Sequence, residues 1–398
     1  MTKANKEGRR KAPILRFKGF TDDWEQRKLG NLFSERKEKS TKGELLSVTL
    51  SNGVVKFSDL NKKDNSNIKS GNYKVVKKSD IPYNSMRMWQ GASGVSQYNG
   101  IVSPAYTVLV PNKNSNSNFY AILFKKESIL NLFTRFSQGL TSDTWNLKYP
   151  ILKDINVPFT NLEEQKRIFK IFNVVNNLLA LYERKTRLLS KLRTFLTQRL
   201  FSNSSKVSLY FDNKNWSKHK ISEFLTERNE KVIPNPSIPL VSFTVEKGVT
   251  PKSKRYNREF LVKDDKKKYK ITKKNDIVYN PANLKFGAIA RNKFGNAAFS
   301  PIYVTFITKL NPVFTEFLVR RKDFIKLALK YQEGTVYERM AVKSKDFLSL
   351  KIYLPNSSRD INYIAQILQS LDTLVSLNKN KISLITLIKK ELLNTMFI

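Results

Sequence analysis

The chain has 398 residues, 40% of them hydrophobic and 12% aromatic, which is enough for two or three domains with buried cores. Lysine and arginine number 72 against 33 acidic residues, a formal charge of +39, so a polyanion is the expected partner and nucleic acid the leading candidate. The absence of cysteine excludes disulfides, thiolate zinc sites and cysteine nucleophiles. No apolar run approaches the roughly twenty residues that a membrane helix needs, which favours a chain of the cytoplasm.

The first part of the chain indicates a basic lead-in followed by a strand-rich domain. Residues 1–18 carry seven basic side chains against one acidic one and show no hydrophobic periodicity, which predicts a flexible lead-in. Residues 19–158 alternate short apolar pieces with turn sequences, which is typical of strands. Within them we expect strands at residues 105–110 and 121–124 and a helix at residues 128–138.

A long helix follows, and the whole arrangement then repeats. Residues 159–202 have apolar residues at alternating steps of three and four without proline or glycine, which predicts a spacer helix of roughly 60 Å. Residues 203–215, rich in serine, asparagine and lysine, are a predicted linker. A second strand-rich domain at residues 216–355 and a second long helix at residues 356–398 complete the chain. Because either helix alone would expose an apolar stripe, at roughly 25 cal/mol per Å² of apolar surface, we expect the two to cover each other.

The two halves also share sequence. Residues 73–84 return 196 positions later as residues 269–280, with eight of twelve positions identical. A period near half the chain length is too long for a solenoid and indicates duplication of a whole unit. The predicted fold class is therefore α+β, with two similar strand-rich domains separated by two long helices that form an antiparallel coiled coil, in a pseudo-twofold internal repeat.

The motifs of common enzymes of DNA are missing from the sequence. It contains neither the glycine-rich phosphate loop of motor ATPases nor that of dinucleotide-binding folds. Residues 279–282, Tyr-Asn-Pro-Ala, only partly match the Asn-Pro-Pro-aromatic segment of amino-methylating enzymes and favour a structural turn. We therefore expect no catalytic residue, no metal site and no bound cofactor on this chain.

Each domain does carry a cluster of cationic, aromatic and amide side chains that suits DNA. Lysine supplies phosphate contacts, whereas arginine, glutamine and asparagine can hydrogen-bond to base edges. The candidates in the first domain are Lys74, Lys77, Lys78, Arg87, Trp89, Gln90, Gln97 and Tyr98. Those in the second domain are Arg255, Tyr256, Arg258, Lys270, Lys273, Lys274, Asn283, Lys285 and Arg291. The alternative is that Trp89 and Phe286 are core aromatics and the lysines ordinary surface charge.

Short motifs open the two domains and the central helix. They are Arg16-Phe17-Lys18-Gly19-Phe20 with Trp24 and Lys28-Leu29, then Trp216 with Lys220-Ile221, and finally Pro158 with Glu163-Glu164-Gln165 and Ile168. In these motifs the chain resembles the DNA-specificity subunit of type I restriction-modification systems, over nearly its whole length. The second helix departs from the pattern, because Arg359-Asp360-Ile361 lacks the Glu-Gln pair.

The resemblance implies a non-catalytic subunit with two target-recognition domains, each reading one half of a bipartite double-stranded DNA target. It implies helical regions that dock two modification (methyltransferase) subunits and the restriction (translocase and endonuclease) subunits. Adenine methylation from S-adenosylmethionine, and cleavage with ATP and Mg, would belong to those partners in the bacterial cytoplasm. The residues expected in helix pairing and subunit docking are Glu164, Gln165, Ile168, Val175, Leu179, Leu189, Leu196, Ile364, Leu371, Ile385 and Leu392. Two alternatives remain open, a self-sufficient nuclease or methyltransferase with an unrecognised site and a scaffold that binds an acidic protein.

Overall fold

The computed structural model describes residues 12–61, 63, 68, 71–201, 216–251, 268–334 and 340–398, and it forms two compact units. Unit 1 comprises the described residues up to Glu183 together with Asn380–Ile398, and unit 2 comprises those within Arg184–Lys379. The predicted linker at residues 203–215 lies outside the described residues.

The strands of unit 1 are short and pair antiparallel. They are β1 (Glu25–Lys28), β2 (Phe33–Glu35), β3 (Leu46–Thr49), β4 (Gly53–Lys56), β5 (Lys74–Val76), β6 (Ile81–Asn84), β7 (Gly100–Val102), β8 (Tyr106–Pro111) and β9 (Asn156–Phe159). The central sheet has the order β2-β8-β6, while β3 pairs with β4 and β5 with β7. Strand β1 pairs with β9, Glu25 opposite Phe159, so the first and last strands of the domain lie side by side.

Helices separate the last strands of unit 1. They are α1 (Ser117–Leu123), α2 (Glu127–Phe136), α3 (Tyr149–Leu152) and the long α4 (Leu162–Leu200), which continues into unit 2. The predicted strand at residues 121–124 is wrong, because residues 121–123 belong to α1 and Phe124 is its C-cap. The side chain of Asn116 caps that helix by accepting hydrogen bonds from the backbone N–H groups of Asn118 and Phe119. A short apolar run did not by its length distinguish a buried strand from a buried helix.

Unit 2 repeats this order of strands with two additions. Its strands are β10 (Trp216–Lys220), β11 (Leu225–Glu227), β12 (Lys231–Val232), β13 (Val241–Thr244), β14 (Gly248–Pro251), β15 (Tyr269–Thr272), β16 (Ile277–Tyr279), β17 (Ile289–Arg291), β18 (Ala297–Phe299), β19 (Val304–Thr308) and β20 (Lys351–Pro355). The sheet β11-β19-β16 corresponds to β2-β8-β6 and gains β17 at its edge, and β15-β18 corresponds to β5-β7 and gains β12. The pairs β10-β20 and β13-β14 correspond to β1-β9 and β3-β4.

The helices of unit 2 also follow the order of unit 1. They are α5 (Pro312–Val319), α6 (Lys322–Leu329), α7 (Ser344–Ser349) and the long α8 (Ser358–Thr395), which continues into unit 1. The core of the unit includes a ring stack in which Tyr279 and Phe347 have centroids 4.9 Å apart. Phe201, just after α4, enters this core and meets Phe314 at 5.2 Å.

The two long helices pair antiparallel within each unit. In unit 1, Phe172 from the first part of α4 and Phe397, just after α8, share one core with ring centroids 5.8 Å apart. In unit 2, Leu196 from the last part of α4 packs against the core that contains Ile364 and Leu368 from the first part of α8. The predicted fold class is thereby confirmed, with strand-rich domains and long helices that run in opposite directions.

The predicted flexible lead-in is wrong for its described part, residues 12–18. The backbone N–H of Leu15 donates to the carbonyl oxygen of Thr395 at 2.9 Å, and Phe17 packs against the core of unit 1. Arg16 forms an ion pair with Glu164 at 2.7 Å. The basic composition of this segment hid these contacts, because their partners lie far away in the sequence. Residues 1–11 are outside the described part of the chain.

Candidate nucleic-acid interface

In unit 1, a tight turn follows β6 and connects it to a short 3-10 turn at Met88–Gln90. Asn84 fixes both ends, since its N–H donates to the carbonyl of Ala92 at 2.9 Å and its side chain accepts from the N–H of Met86 at 3.0 Å. Gly91 closes the turn with a φ of 82°, a left-handed conformation that costs glycine little. We call residues 84–92 the unit 1 turn.

In unit 2, residues 280–288 after β16 form the same structure, here called the unit 2 turn. Asn280 donates to the carbonyl of Ala288 at 2.9 Å and accepts from the N–H of Ala282 at 3.1 Å, and Gly287 has a φ of 81°. Each hydrogen bond joins the positions that it joins in the unit 1 turn, shifted by 196 residues. The two turns therefore have one backbone design.

The side chains on the two turns differ where they meet solvent. In unit 1, Arg87 is exposed, Gln90 is partly exposed, and the ring of Trp89 meets that of Trp145 edge-on at 5.2 Å. The corresponding positions of unit 2 carry Asn283, Phe286 and Lys285, all of them exposed. Five of the predicted DNA-binding residues thus lie on the two turns.

The lysines that the two halves share have acidic partners inside their own units. In unit 1, Lys74 pairs with Glu35 at 3.5 Å and Lys77 with Glu38 at 3.1 Å. In unit 2 the same pairs recur, Lys270 with Glu227 at 3.4 Å and Lys273 with Glu230 at 3.2 Å. The fold itself therefore explains why both halves carry these lysines, without any contact with DNA. Lys78 and Lys274 are exposed and keep the predicted role best.

A buried ion pair anchors the duplicated stretch in each unit. Asp80 receives the guanidinium of Arg36 at 2.7 and 2.9 Å and the N–H of Lys77 at 2.8 Å. The hydrogen bond to Asp80 raises the pKa of Arg36 above its ordinary value, against the opposing effect of burial. Arg228 and Asp276 repeat the bidentate geometry at 2.8 and 3.0 Å. This pair holds the strand that leads into each turn.

The other predicted DNA contacts have varied surroundings. Arg291 is committed to an internal network, since it donates to Glu316 at 3.1 Å and to Asn275 at 2.8 Å, and we assign it a structural role instead. Gln97 is exposed, whereas Tyr98 packs against a small core beside β3 and β4. Predicted contacts at Arg255, Tyr256 and Arg258 lie outside the described residues.

The Glu-Gln pair at the start of α4 is part of the core of unit 1 and offers no docking surface. The Glu164 carboxylate accepts from Arg16 at 2.7 and 2.9 Å, from the Trp24 indole at 3.1 Å and from the Thr160 hydroxyl. Gln165 is fully buried as well and bonds to three backbone groups through its side-chain amide. The predicted docking role of these two residues is wrong, because neither side chain reaches the surface.

The remaining predicted helix residues are buried or half-buried, and this fits helix pairing rather than docking. They are Ile168, Val175, Leu179, Leu189, Leu196, Ile364, Leu371, Ile385 and Leu392. A second apolar seam, which the sequence reasoning missed, faces solvent on both helices. In unit 1 it comprises Val174, Leu178, Leu181, Leu384, Leu387 and Ile388, and in unit 2 Leu188, Leu192, Phe195, Leu374 and Leu377. We call these sets the unit 1 seam and the unit 2 seam.

Lys125, also missed, braces the unit 1 turn. Its ammonium group donates to the carbonyl of Gly91 and, at 3.1 Å, to that of Ser93. Burial lowers the pKa of Lys125 to about 8, helped by the charge of Lys389. Its partners are backbone groups, so no sequence motif could have pointed to this role.

Within the described residues, no group of three or more histidine, aspartate or glutamate side chains could hold a metal ion. In the same part of the chain no helix is both long and apolar enough to cross a membrane.

Comparison with known proteins agrees with the geometry. Residues 21–190 match the sequence model of a family described as the type I restriction modification DNA specificity domain. A curated protein of Methanocaldococcus jannaschii, named as the specificity subunit of a type I restriction enzyme, MjaX, is 24% identical over 309 residues. That alignment covers 72% of this chain and 69% of the relative.

A solved structure has the same fold over almost the full length. The crystal structure of the type I restriction-modification system S subunit from M. genitalium aligns with a TM-score of 0.62 at 17% identity, covering 97% of this chain and 99% of that one. Residues 21–190 therefore match the type I restriction modification DNA specificity domain, and the two strand-rich domains and two long helices have the fold of the S subunit from M. genitalium. The chain is thus similar to the specificity subunits of type I restriction-modification systems.

Proposed function

We propose that the two units each read one half of a bipartite DNA target. The observation that carries this proposal is the pair of turns, which share one backbone design and differ in their exposed side chains. Identical scaffolds with different outward chemistry suit two readers of different sequence. The formal charge of +39 supports a duplex as the ligand, because phosphate contacts supply most of the affinity of such proteins.

The two seams are the proposed docking surfaces for the modification subunits. Leu181 and Leu387 of the unit 1 seam are each 59% exposed, and Leu188 of the unit 2 seam is 55% exposed. Apolar residues spaced by three and four along a helix fit the side chains of another helix. One seam in each unit supports two copies of one partner, which packs its own helices there.

The chemistry belongs to the partners in this proposal. The modification subunits would bind S-adenosylmethionine and methylate adenine, and the restriction subunits would use ATP and Mg to translocate and cleave DNA. The role of this chain is to choose the sequence at which they act, in the cytoplasm and on the nucleoid.

Exchange of one domain tests the division of labour. Residues 20–158 are replaced by those of another specificity subunit, the complex is expressed in cells, and methylated adenines are mapped genome-wide. We expect one half of the mapped motif to change and the other half to stay. A change in both halves, or in neither, would contradict the proposal.

A charge on the seam tests the docking surface. Leu181→Glu should abolish co-purification with the modification subunit, because it places a carboxylate in an apolar helix contact. The matched control is Ala180→Glu, which adds the same charge at an exposed position outside both the unit 1 seam and the buried residues that pair the two helices. Equal loss in both variants would indicate that general charge, rather than the seam, governs assembly.

A further inference from the structure

The unit 1 turn and the unit 2 turn present different hydrogen-bonding groups at the same places. We infer that Arg87, oriented by Gln90, reads a G·C pair in one half-site, and that Asn283, with Phe286 beside it, reads an A·T pair in the other. This inference rests on the proposed function and adds which residues read DNA and which base pair each turn prefers.

The first step is the rigidity of the frame that holds these residues. In both turns the residue before the buried apolar side chain donates its N–H to the asparagine carbonyl, at 2.9 Å for Arg87 and 3.1 Å for Asn283. The next side chains, Met88 and Leu284, are fully buried and fix the turn to the domain. A side chain that reads DNA needs such a rigid backbone support, because its hydrogen bonds must meet the edge of a nucleobase at defined angles.

In unit 1 the exposed chemistry favours guanine. Nη1 of Arg87 donates to Oε1 of Gln90 at 3.2 Å, which orients the guanidinium and leaves further N–H groups for a ligand. Arginine forms its commonest specific contact with O6 and N7 of guanine, through two parallel hydrogen bonds. Beside it, the indole N–H of Trp89 donates to the carbonyl of Met86 at 3.1 Å, and Lys125 braces the far end of the turn.

In unit 2 the exposed chemistry favours an adenine paired with thymine. Asn283 carries the amide that can bond to N6 and N7 of adenine, and Phe286 next to it is 64% exposed. Both line a hollow of about 300 Å³ whose other walls include Phe243, Val245 and Tyr303. This apolar lining beside an amide suits the methyl group of thymine, which only an A·T pair presents in the major groove.

Neutral divergence of surface positions explains the differences less well. Lys78 and Lys274 are also exposed, lie a few residues upstream, and are the same in both units. The turns instead differ at all four of their outward positions, 86, 87, 89 and 90 against 282, 283, 285 and 286. Phosphates are alike in every sequence, whereas bases are not, so shared lysines and different turns match these two kinds of contact.

The test uses the complex of this chain with its modification subunits and a duplex that carries the mapped methylation motif. Binding is measured for that duplex and for duplexes with each base pair replaced in turn. Arg87→Ala should lower discrimination at one G·C pair of one half-site by roughly 5- to 150-fold, and Asn283→Ala should do so at one A·T pair of the other. Lys78→Ala is the matched control and should weaken binding to every duplex alike.

A gain of function makes the test stricter. Arg87→Asn combined with Gln90→Phe places the unit 2 chemistry on the unit 1 turn, and the mapped motif should change from G·C to A·T at one position. The inference is overturned if both alanine variants weaken all duplexes equally, or if the preferred pairs are not those stated. Should the exchange of residues 20–158 succeed while these variants fail, the proposed function stands and the assignment to the turns does not.

Discussion

Loss of Arg16 should destabilise unit 1 more than loss of the whole ion pair to which it belongs. The Glu164 carboxylate is fully buried, and Arg16, whose side chain is 12% exposed, is the one charged donor among its described hydrogen-bond partners. Removal of one partner from a buried ion pair costs roughly 3–5 kcal/mol, because the remaining charge stays without compensation. Since Arg16 keeps some contact with water, we expect Arg16→Ala to cost about 3 kcal/mol.

Replacement of both partners should be milder. Arg16→Met with Glu164→Gln removes both charges, while the amide oxygen of the new side chain can still accept from the Trp24 indole and the Thr160 hydroxyl, so most of the loss is recovered. With a urea m-value of roughly 1–3 kcal/mol per molar, the single variant should lower the unfolding midpoint by about 1 M or more. Hydrogen exchange of amides in residues 162–175 reports on unit 1 by itself, which a global probe of a two-unit chain does not.

The control is another ion pair of the same unit. Lys28 pairs with Asp154 at 2.9 Å, but both side chains are more than half exposed, so Lys28→Ala should leave the midpoint nearly unchanged. If Arg16→Ala proved no more harmful than the double replacement, the buried charge would not be the cause of the loss.

Three further outcomes are expected. Because burial lowers the pKa of Lys125 from 10.5 to about 8, the unfolded chain binds more protons between these values, and unit 1 should gain stability as pH rises through them. Lys125→Met should flatten that rise when the free energy of unfolding is measured against pH, and an unchanged slope would contradict the assignment. Asn378 is buried on α8, and among the described residues its amide donates to the carbonyl of Leu374 in its own helix. Asn378→Leu should therefore stabilise unit 2 by about 1 kcal/mol in urea unfolding, and a loss of stability would contradict apolar surroundings at this position. Arg36→Ala and Arg228→Ala should each lower the stability of their own unit by about 3 kcal/mol. Clearly unequal losses of amide hydrogen-exchange protection in the two units would refute the equivalence of the two ion pairs.

The long helices and the duplication were predictable because both leave a regular trace in the sequence. Steps of three and four predicted α4 and α8 closely, and the shared stretch at residues 73–84 and 269–280 predicted two similar domains. Spacing alone could not distinguish the apolar residues that pair the two helices from those that stay exposed on them. Leu179 and Leu181 are both in such steps, yet one is half-buried and the other exposed.

Contacts between distant residues explain most of the corrections. The shared lysines Lys74 and Lys270 find their acids 39 and 43 positions earlier, in strands whose register no local pattern gives. Glu164 meets Arg16 across 148 residues, so neither a docking role for the one nor a flexible lead-in for the other could be rejected from sequence. For Phe286 the sequence left a core position open as an alternative, and the structure places its ring 64% exposed.

The position of Phe397 has a consequence for folding during synthesis on the ribosome. Its ring packs against those of Trp24, Phe119 and Phe172, although those three residues are translated more than two hundred codons earlier. Unit 2 lies within one continuous stretch of the chain, so it can finish folding before residues 380–398 are synthesised. The aromatic core of unit 1 is incomplete until then, because it lacks the ring of Phe397. A nonsense codon just before position 397 should therefore destabilise unit 1, although most residues of that unit precede unit 2 in the sequence.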